Sequence, residues 1–418
     1  MRRNRESSLR RLGSLLAAGA VAGACGVASG QPSTSQNQDT TPVKVGVVTG
    51  LTGAYAQLGE AQQEGANLAI KELKGKAGSH PISVIVRDDQ IKPDLALQQA
   101  KELVQTDRVD FLTGCVSAAT TLPINQVAKQ AGVPYVGTCQ TERLNRPPDL
   151  GPYTFHLAPL PSMVVSAVTP WILKNLGKSV LLLEPDYAWG HEQADAFMKA
   201  IPANGGTVAG GAPIWAPLGT TDFTSYIPKI QAAKPDVVMV GPGGRDQENF
   251  LKQAKQFGLD KQMKIFQFLS DLSFDQEMGF EALSGTYAAT QFNWRGSDPV
   301  TQKFVKAYQA AYNKPPSGYA AYTYNAVTMI AKLVSSNHYK PTDFAKALAG
   351  AKLDLAQGPQ TIRACDHQVF LPEYVVQGLT QAEAASKGGS AQYGFRSVVT
   401  TIPPSTKQAP SCSELGLK

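Results

Sequence analysis

The sequence predicts an α/β fold built from two doubly wound parallel sheets. Strand patterns alternate with amphipathic helix patterns, which is typical of βαβ units. The alternation occurs in two successive series. Roughly 380 residues remain after an N-terminal leader and tether, more than a single core of typical size contains. Together these observations favour two domains of similar construction.

The first series covers the N-terminal part of the fold. Short apolar runs predict strands at 43–48, 82–87, 111–114 and 135–138, and helical periodicity predicts helices at 59–73, 94–106 and 121–131. The Gly/Thr-rich loop 50–59 follows the first strand and precedes the first helix. Loops at the carboxyl ends of parallel strands form the ligand crevice of open α/β sheets, so this loop is expected at a binding cleft.

The second series begins beyond Pro159. It comprises helix 163–176, strand 179–184, helix 190–201, strand 208–213, helix 226–233, strand 237–241, helix 247–257 and strand 264–268. Later patterns predict a strand at 285–292 and helices at 299–312 and 318–336. These later segments need not stay with the second sheet, because the chain could return to the first.

The first 24 residues predict a signal peptide. Five arginines precede an apolar stretch, 12–24, that is too short to span a bilayer. Ala22-Gly23-Ala24 fits a simple cleavage site, whereas the small residues before Cys25 resemble a lipobox and make Cys25 a candidate lipid anchor. The pair Arg10-Arg11 also leaves open export by the twin-arginine pathway. Residues 25–42 then predict a flexible polar tether, so the protein is expected to be exported to the periplasm or cell surface.

Charge and motifs disfavour several function classes. The leader carries a net charge of +4, so about +2 of the chain's +6 remains, and no basic run interleaves with aromatics; nucleic-acid binding is therefore disfavoured. The stretch 241–244 is half of a dinucleotide fingerprint, but Asp246 stands where its third glycine is needed. No hydrolase, phosphate-loop or metal-ligand spacing occurs, which predicts no enzyme activity, no cofactor and no metal site.

Five cysteines leave an odd one in an oxidising compartment. If Cys25 carries lipid, four remain for two disulfides. Cys115 and Cys139 each follow an apolar strand, so they are candidates to face each other, and Cys365 and Cys412 would then hold the C-terminal tail. The alternative is that Cys115 or Cys139 is only a small buried side chain.

The order of several short motifs resembles the type I periplasmic solute-binding proteins, and is most similar to the leucine/isoleucine/valine-binding branch that serves ABC importers. The motifs are G-L-T-G at 50–53, G-x-x-x-x-x-G-A at 59–66, V-R-D-D at 86–89, A-x-x-x-x-x-x-L-V at 96–104, D-Y-A-W-G at 186–190, F-L-K-Q-A-K-Q-F-G at 250–258 and I-R-A-C-D-H-Q at 362–368. The resemblance covers roughly residues 43–374, nearly the whole mature chain.

The resemblance implies two lobes joined by three crossovers, with ligand bound between lobes that close by a hinge motion. Lobe 1 is expected at 43–159 plus 287–364, lobe 2 at 160–286 plus 365–400, and a C-terminal tail at 401–418. The crossovers are expected near 157–161, 286–293 and 364–368. The implied function is a monomeric receptor that delivers a branched-chain amino acid-like solute or an aromatic acid or amide to an ABC permease. A sensor that docks on a membrane signalling protein, or a secreted enzyme, is the alternative.

In the first lobe, a small-residue loop opens the helix after the third strand. Free backbone N–H groups at Ala118 and Ala119 and the hydroxyl of Ser117 would hold a ligand carboxylate, as this loop does in the family. The alternative is that Ser117 is only an N-cap. By resemblance, Thr141 would contact ligand through its hydroxyl, and the carbonyl of Cys139 would accept from a ligand amine.

In the second lobe, Trp189 is expected to cover the ligand, with Tyr187 as the alternative. Asp271 matches an acid that would pair with a ligand ammonium, unless it is a solvated loop carboxylate. Tyr55 in the first loop is expected to reach the cleft mouth. Gly243-Gly244 replaces a tyrosine of the branched-chain binders, so a roomier cleft is expected, with Arg245 supplying positive charge.

Overall fold

The computed structural model describes residues 39–387 and 392–417. The predicted signal peptide, the candidate anchor Cys25 and most of the tether lie outside the described residues. The described residues form sixteen strands and twelve α-helices, which alternate along most of the chain. The α/β class with parallel sheets, predicted from the sequence, is confirmed.

The first sheet has six strands in the order β2-β3-β1-β4-β5-β6, and all neighbours except β2 and β3 are parallel. Its elements are β1 (Val43–Thr49), α1 (Ala56–Glu72), β2 (Lys76–Ala77), β3 (His80–Asp88), α2 (Pro93–Gln105), β4 (Phe111–Gly114), α3 (Ala118–Ala131), β5 (Tyr135–Gly137) and β6 (Thr154–His156). The inner strands β1, β4 and β5 are almost wholly buried, as expected when helices cover both faces.

The second sheet has the order β16-β15-β12-β11-β10-β7-β8, with β9 also paired to β7. The elements that follow β6 in this part are α4 (Pro161–Asn175), β7 (Ser179–Pro185), α5 (Ala188–Ala203), β8 (Thr207–Val208), β9 (Ile214–Ala216), α6 (Ile227–Ala233), β10 (Val237–Val240), α7 (Gly244–Gln256), β11 (Lys264–Gln267), α8 (Leu272–Leu283) and β12 (Tyr287–Thr290). These strands run parallel.

The C-terminal part of the chain contributes to both sheets. Its elements are α9 (Pro299–Tyr312), α10 (Gly318–Ser335), α11 (Pro341–Leu348), the hairpin β13 (Lys352–Leu355) and β14 (Gly358–Thr361), β15 (Glu373–Gly378), α12 (Gln381–Ser386) and β16 (Arg396–Ile402). β15 and β16 add two antiparallel strands to the edge of the second sheet. The hairpin, α8, α11, α12 and these edge strands were not predicted from the sequence.

Helices α10 and α11 return to the first sheet, as the sequence left open. A Cβ at Gly65 of α1 would lie 2.1 Å from the carbonyl oxygen of Ala320, so the two helices α1 and α10 cross in close backbone contact. Phe344 of α11 packs against Phe111 and Phe155, with ring centroids 5.1 and 5.5 Å apart. The segment expected in lobe 1 from residue 287 therefore begins with a strand, β12, that pairs in the second sheet, and only later reaches the first.

Two of the expected crossovers run side by side. His156 N–H donates to the carbonyl of His367 at 3.1 Å, and the Gln368 side chain donates to the carbonyl of Ala158 at 2.9 Å. The imidazole of His367 stacks on Phe155 with centroids 4.3 Å apart. These contacts join the chain leaving the first sheet to the chain that leads back to the second.

Candidate functional site

A cavity lies where the carboxyl ends of the two sheets' strands meet. Loops after β1, β4, β5, β7, β10 and β11 and the start of α10 supply its walls. The lining residues are Tyr55, Leu58, Val116, Ala118, Gln140, Tyr187, Trp189, Gly243, Leu269, Phe274 and Tyr319. Its volume is only about 10 Å³, close to the minimum that one water molecule needs, so the cleft is nearly closed in this structure.

The lining is aromatic and carries no formal charge. Five of the eleven described lining residues are aromatic, and Gln140 is the one that carries an amide. Burial raises the pKa of the hydroxyls of Tyr55, Tyr187 and Tyr319, so all three keep their protons and can donate hydrogen bonds. A ligand here would meet apolar ring surfaces together with a few hydroxyl donors.

The N-terminus of α3 supplies further donors. Ser117 is its N-cap, and the serine hydroxyl accepts from the N–H of Ala119 at 3.3 Å. The hydroxyl can still donate its own proton, and the N–H of Ala118 is one of the helix-end groups without an intrahelical partner. Ala118 lines the cavity, while Ser117 is buried directly beside it. The 14-residue helix directs the positive end of its dipole to this point.

Contacts between the two sides close the cleft around the aromatic residues. The hydroxyls of Tyr55 and Tyr187 lie 2.9 Å apart. The indole N–H of Trp189 donates to Oε1 of Gln140 at 3.2 Å, and the Trp189 ring meets Phe268 edge-on. Tyr55, Tyr187 and Trp189, all named from the sequence, are thus brought together at the cavity.

The glycines 243 and 244 do not make the cleft roomier. A Cβ at Gly243 would lie 3.5 Å from both Trp189 and Tyr55, and a Cβ at Gly244, where φ is +58°, would lie 2.6 Å from the carbonyl oxygen of Ala54. The two sides of the cleft approach closely because no side chain stands between them. The space left by the absent tyrosine is filled by aromatic rings, contrary to the expectation from sequence.

Arg245 does not line the cavity. Its side chain is exposed on the first turn of α7, so it does not supply the positive charge expected from the sequence.

Asp271 also differs from its expected role. It is the N-cap of α8, with Oδ1 accepting from Ser273 N–H at 3.0 Å and Oδ2 accepting from Gly318 N–H at 2.9 Å. The carboxylate is buried, and burial raises its pKa. Since both oxygens already accept from backbone and the residue does not line the cavity, it is not placed to pair with a ligand ammonium.

Thr141 and Cys139 lie behind the cavity wall rather than in it. The hydroxyl of Thr141 donates to Oε1 of Glu192 on α5 at 2.9 Å, and the N–H of Glu142 donates to the other oxygen at 3.1 Å. Burial raises the pKa of Glu192 to about 7. The carbonyl of Cys139 is 2.6 Å from Nε2 of His156, so it is already engaged within the protein.

Two disulfides join the cysteine pairs named from the sequence, Cys115 with Cys139 and Cys365 with Cys412. The first links the loops after β4 and β5, directly behind the small-residue loop at the cavity. The second attaches the C-terminal tail next to a crossover, where Arg363 also donates to the carbonyl of Pro410 at 2.8 Å.

Sequence reasoning missed several lining residues. Gln140 adjoins Thr141 in a strand-end loop that was already suspected, so its position could have been found. Phe274 and Tyr319 lie on helices distant in the chain from the first cleft loop, and no local pattern marks them.

In the described residues, no helix is both long and apolar enough to cross a bilayer.

Comparison with known proteins identifies relatives of this chain. A family described as periplasmic binding protein matches residues 42–384. The leucine-, isoleucine-, valine-, threonine- and alanine-binding protein of Pseudomonas aeruginosa is 27% identical over 356 residues, which cover 84% of this chain and 91% of the relative.

Solved structures share the fold. A periplasmic binding protein from Burkholderia mallei has a TM-score of 0.81 and 27% identity, and the match covers 89% of this chain and 97% of that one. A solute-binding protein of an ABC transporter from R. palustris, solved in complex with benzoate, has a TM-score of 0.77 and 23% identity, and its match covers 87% of this chain and 97% of that one.

Proposed function

The chain belongs to the periplasmic binding protein family, and we propose that it is an exported receptor that captures a small aromatic carboxylate between two lobes and delivers it to an ABC permease. The observation that supports the ligand class is the cavity lining. Five aromatic side chains and the N-terminus of α3 meet there without any acidic side chain.

The body of the ligand is proposed to lie among the aromatic rings. Trp189, Phe274 and Tyr319 supply flat apolar surfaces, which favour a planar hydrocarbon group. Because the cavity is only about 10 Å³ in this structure, the two sides of the cleft would have to move apart to admit a ring.

The carboxylate is proposed to lie at the start of α3. The backbone N–H of Ala118 and the hydroxyl of Ser117 favour an anion there, whereas the N–H of Ala119 already donates to Ser117. The tyrosine pair Tyr55 and Tyr187 can turn a hydroxyl proton toward the same ligand. In the part of the chain that the structure describes, no arginine or lysine lines the cavity, so these neutral donors and the helix dipole would carry the recognition.

A branched-chain amino acid is the second candidate, because the Pseudomonas aeruginosa relative is named for such ligands. An α-ammonium group buried in this cavity would need an acceptor of opposite charge. The carboxylate of Asp271, expected to fill that role, accepts instead from Ser273 and Gly318. This difference is the reason for preferring an acid that lacks the ammonium.

Matched ligand pairs test the proposal directly. Protein from residue 31 onward would be stripped of carried-over ligand by unfolding and refolding with its disulfides intact. Calorimetric titration would then compare 3-phenylpropanoate with phenylalanine and 4-methylpentanoate with leucine. Within each pair the compounds differ only by the ammonium group, so we expect the desamino acid to bind at least tenfold more tightly. Tighter binding of leucine or phenylalanine would replace the aromatic-acid proposal by the amino-acid one.

The carboxylate position has its own test. Ser117→Ala should weaken binding of the preferred acid by about 1–3 kcal/mol, because a hydrogen bond to a charged group is lost. Thr380→Ala is the control, since it removes the N-cap of α12 without touching the cavity lining. If both variants bind the acid as the parent protein does, the anion does not sit at α3.

Delivery to a permease and the two-lobe closure follow from family membership as proposals. We also propose that lobe 1 comprises residues 43–159 plus 287–364 and lobe 2 residues 160–286 plus 365–400, except that β12 pairs within the second sheet and belongs with lobe 2. Reconstitution with a candidate permease would separate this role from that of a sensor, since only transport requires ligand-stimulated ATP hydrolysis by the importer. Mass spectrometry of the mature N-terminus would test lipidation at Cys25.

A further inference from the structure

A second cavity, of about 70 Å³, lies against strands at one end of the second sheet and shares no lining residue with the cleft. Strands β12, β15 and β16 form its floor through Thr290, Val376 and Val398. The loop that follows β12 forms one wall, so the cavity adjoins the place where the chain leaves the second sheet.

Arg396 lines this cavity with one unsatisfied nitrogen. Its Nε lies 2.9 Å from both carboxylate oxygens of Asp275, and Nη2 donates to Oε1 of Gln267 at 2.8 Å. Nη1 is buried and finds no hydrogen-bond partner among the described residues, while the side chain as a whole is only 6% exposed. A buried charged donor without a partner is costly, so an acceptor at this point would be strongly favoured.

The charge around the cavity favours an anion. Asp275 is the one carboxylate of the lining, and it is already paired with Arg396 and accepts from Ser270 at 3.0 Å. Arg295 adds a second guanidinium, which lies 4.6 Å from the ring centroid of Trp294. Since Arg396 and Asp275 compensate each other, the guanidinium of Arg295 leaves one positive charge in excess.

The remaining walls are suited to a flat apolar group. Phe292, Trp294 and Phe395 line the cavity beside the guanidinium. We propose that this cavity is a second binding site, for an aromatic carboxylate whose oxygen accepts from Nη1 of Arg396 while its ring lies against Phe292 and Trp294. The site would occupy the crossover after β12, outside the cleft, and it stands whether or not the cleft takes the ligand proposed above.

Two neighbouring valines of β16 provide a matched test. Val398 lines the cavity and is 42% exposed, whereas Val399 is 44% exposed and does not line it. Val399 is the extra residue of a β-bulge, since Val398 and Thr400 pair with the adjacent residues Val376 and Val375. The valines are chosen because both are exposed, so a larger side chain can extend into solvent. Replacing Arg396 would instead break a buried ion pair with Asp275 and could unfold the protein. Val398→Trp should fill the cavity mouth and Val399→Trp should not.

The probe would be naphthalene-2-carboxylate, titrated calorimetrically into full-length mature protein that also carries Gly243→Leu to block the cleft. We expect one binding event in this protein, unchanged affinity with Val399→Trp added, and at least tenfold weaker binding with Val398→Trp added. Equal affinity in the two tryptophan variants would overturn the proposal. Absence of binding in the parent Gly243→Leu protein, shown to be folded by circular dichroism, would overturn it as well.

Discussion

The contact between Glu192 and the loop after β5 is expected to make the stability of the protein depend on pH. Its carboxylate accepts from Thr141 and from the N–H of Glu142, and it joins α5 to the other side of the cleft. Burial raises the pKa of Glu192 from an ordinary 4.5 to about 7. Of the charged neighbours, Glu142 raises this pKa further and Arg143 lowers it.

The direction of the effect follows from proton binding. Between pH 4.5 and 7 the folded protein holds a proton on Glu192 that the unfolded chain has released. This contribution to stability is fully present below pH 4.5 and is lost as pH rises through 7. Each pH unit between the two pKa values corresponds to about 1.4 kcal/mol, so the free energy of unfolding would fall by roughly 3 kcal/mol at most. The side chain is only half-buried, and screening by water reduces the expected loss to about 1–3 kcal/mol.

Urea unfolding at pH 5, 6, 7 and 8 would measure this loss on ligand-free protein with its disulfides intact. Glu192→Gln cannot ionise, so its free energy of unfolding should fall about 1–3 kcal/mol less between pH 5 and 8 than that of the parent protein. Asp195→Asn is the control, because it removes an exposed acid from the same helix. Parallel pH profiles for Glu192→Gln and the parent protein would refute the reasoning.

Two further changes follow from contacts at the cleft. Tyr55→Phe and Tyr187→Phe should each destabilise the protein by about 0.5–1.5 kcal/mol, because each removes the hydrogen bond that the two hydroxyls share. The double variant should be destabilised by less than the sum of the two single variants. Additive losses in thermal unfolding would mean that the hydroxyls do not interact. Gly241→Ala should destabilise the protein by about 1–3 kcal/mol, because the new Cβ would lie 1.8 Å from Oε2 of the buried Glu184. Gly243→Ala is the control, since its Cβ would meet only ordinary contacts at 3.5 Å. Equal unfolding midpoints in urea for the two variants would contradict this packing.

Much of the fold could be predicted from sequence because its strands are short, continuous apolar runs. The helices at 299–312 and 318–336 were placed to within a residue, since their periodicity is strong. β16 was missed because it is an exposed edge strand without a long apolar run, with Val398 and Val399 both exposed to solvent. β15 is mostly buried, but its apolar run covers only residues 374–376. Their pairing depends on β12, which is distant in the chain.

The candidate site was predictable only where a residue follows its own strand. Tyr55, Ala118, Tyr187 and Trp189 come directly after strands, and parallel strands bring their carboxyl ends together. The role of Asp271 could not be predicted in this way, since its partner Gly318 begins a helix 47 residues later.

The bond between Cys365 and Cys412 has a consequence for proteolysis. Lys387 is exposed just after α12, and a single cut there would divide the backbone between the two cysteines. The two fragments would nevertheless remain one molecule under non-reducing conditions, because the bridge encloses the cut. The smaller fragment would also keep β16 hydrogen-bonded to β15, so its release would require both reduction and the loss of an edge strand.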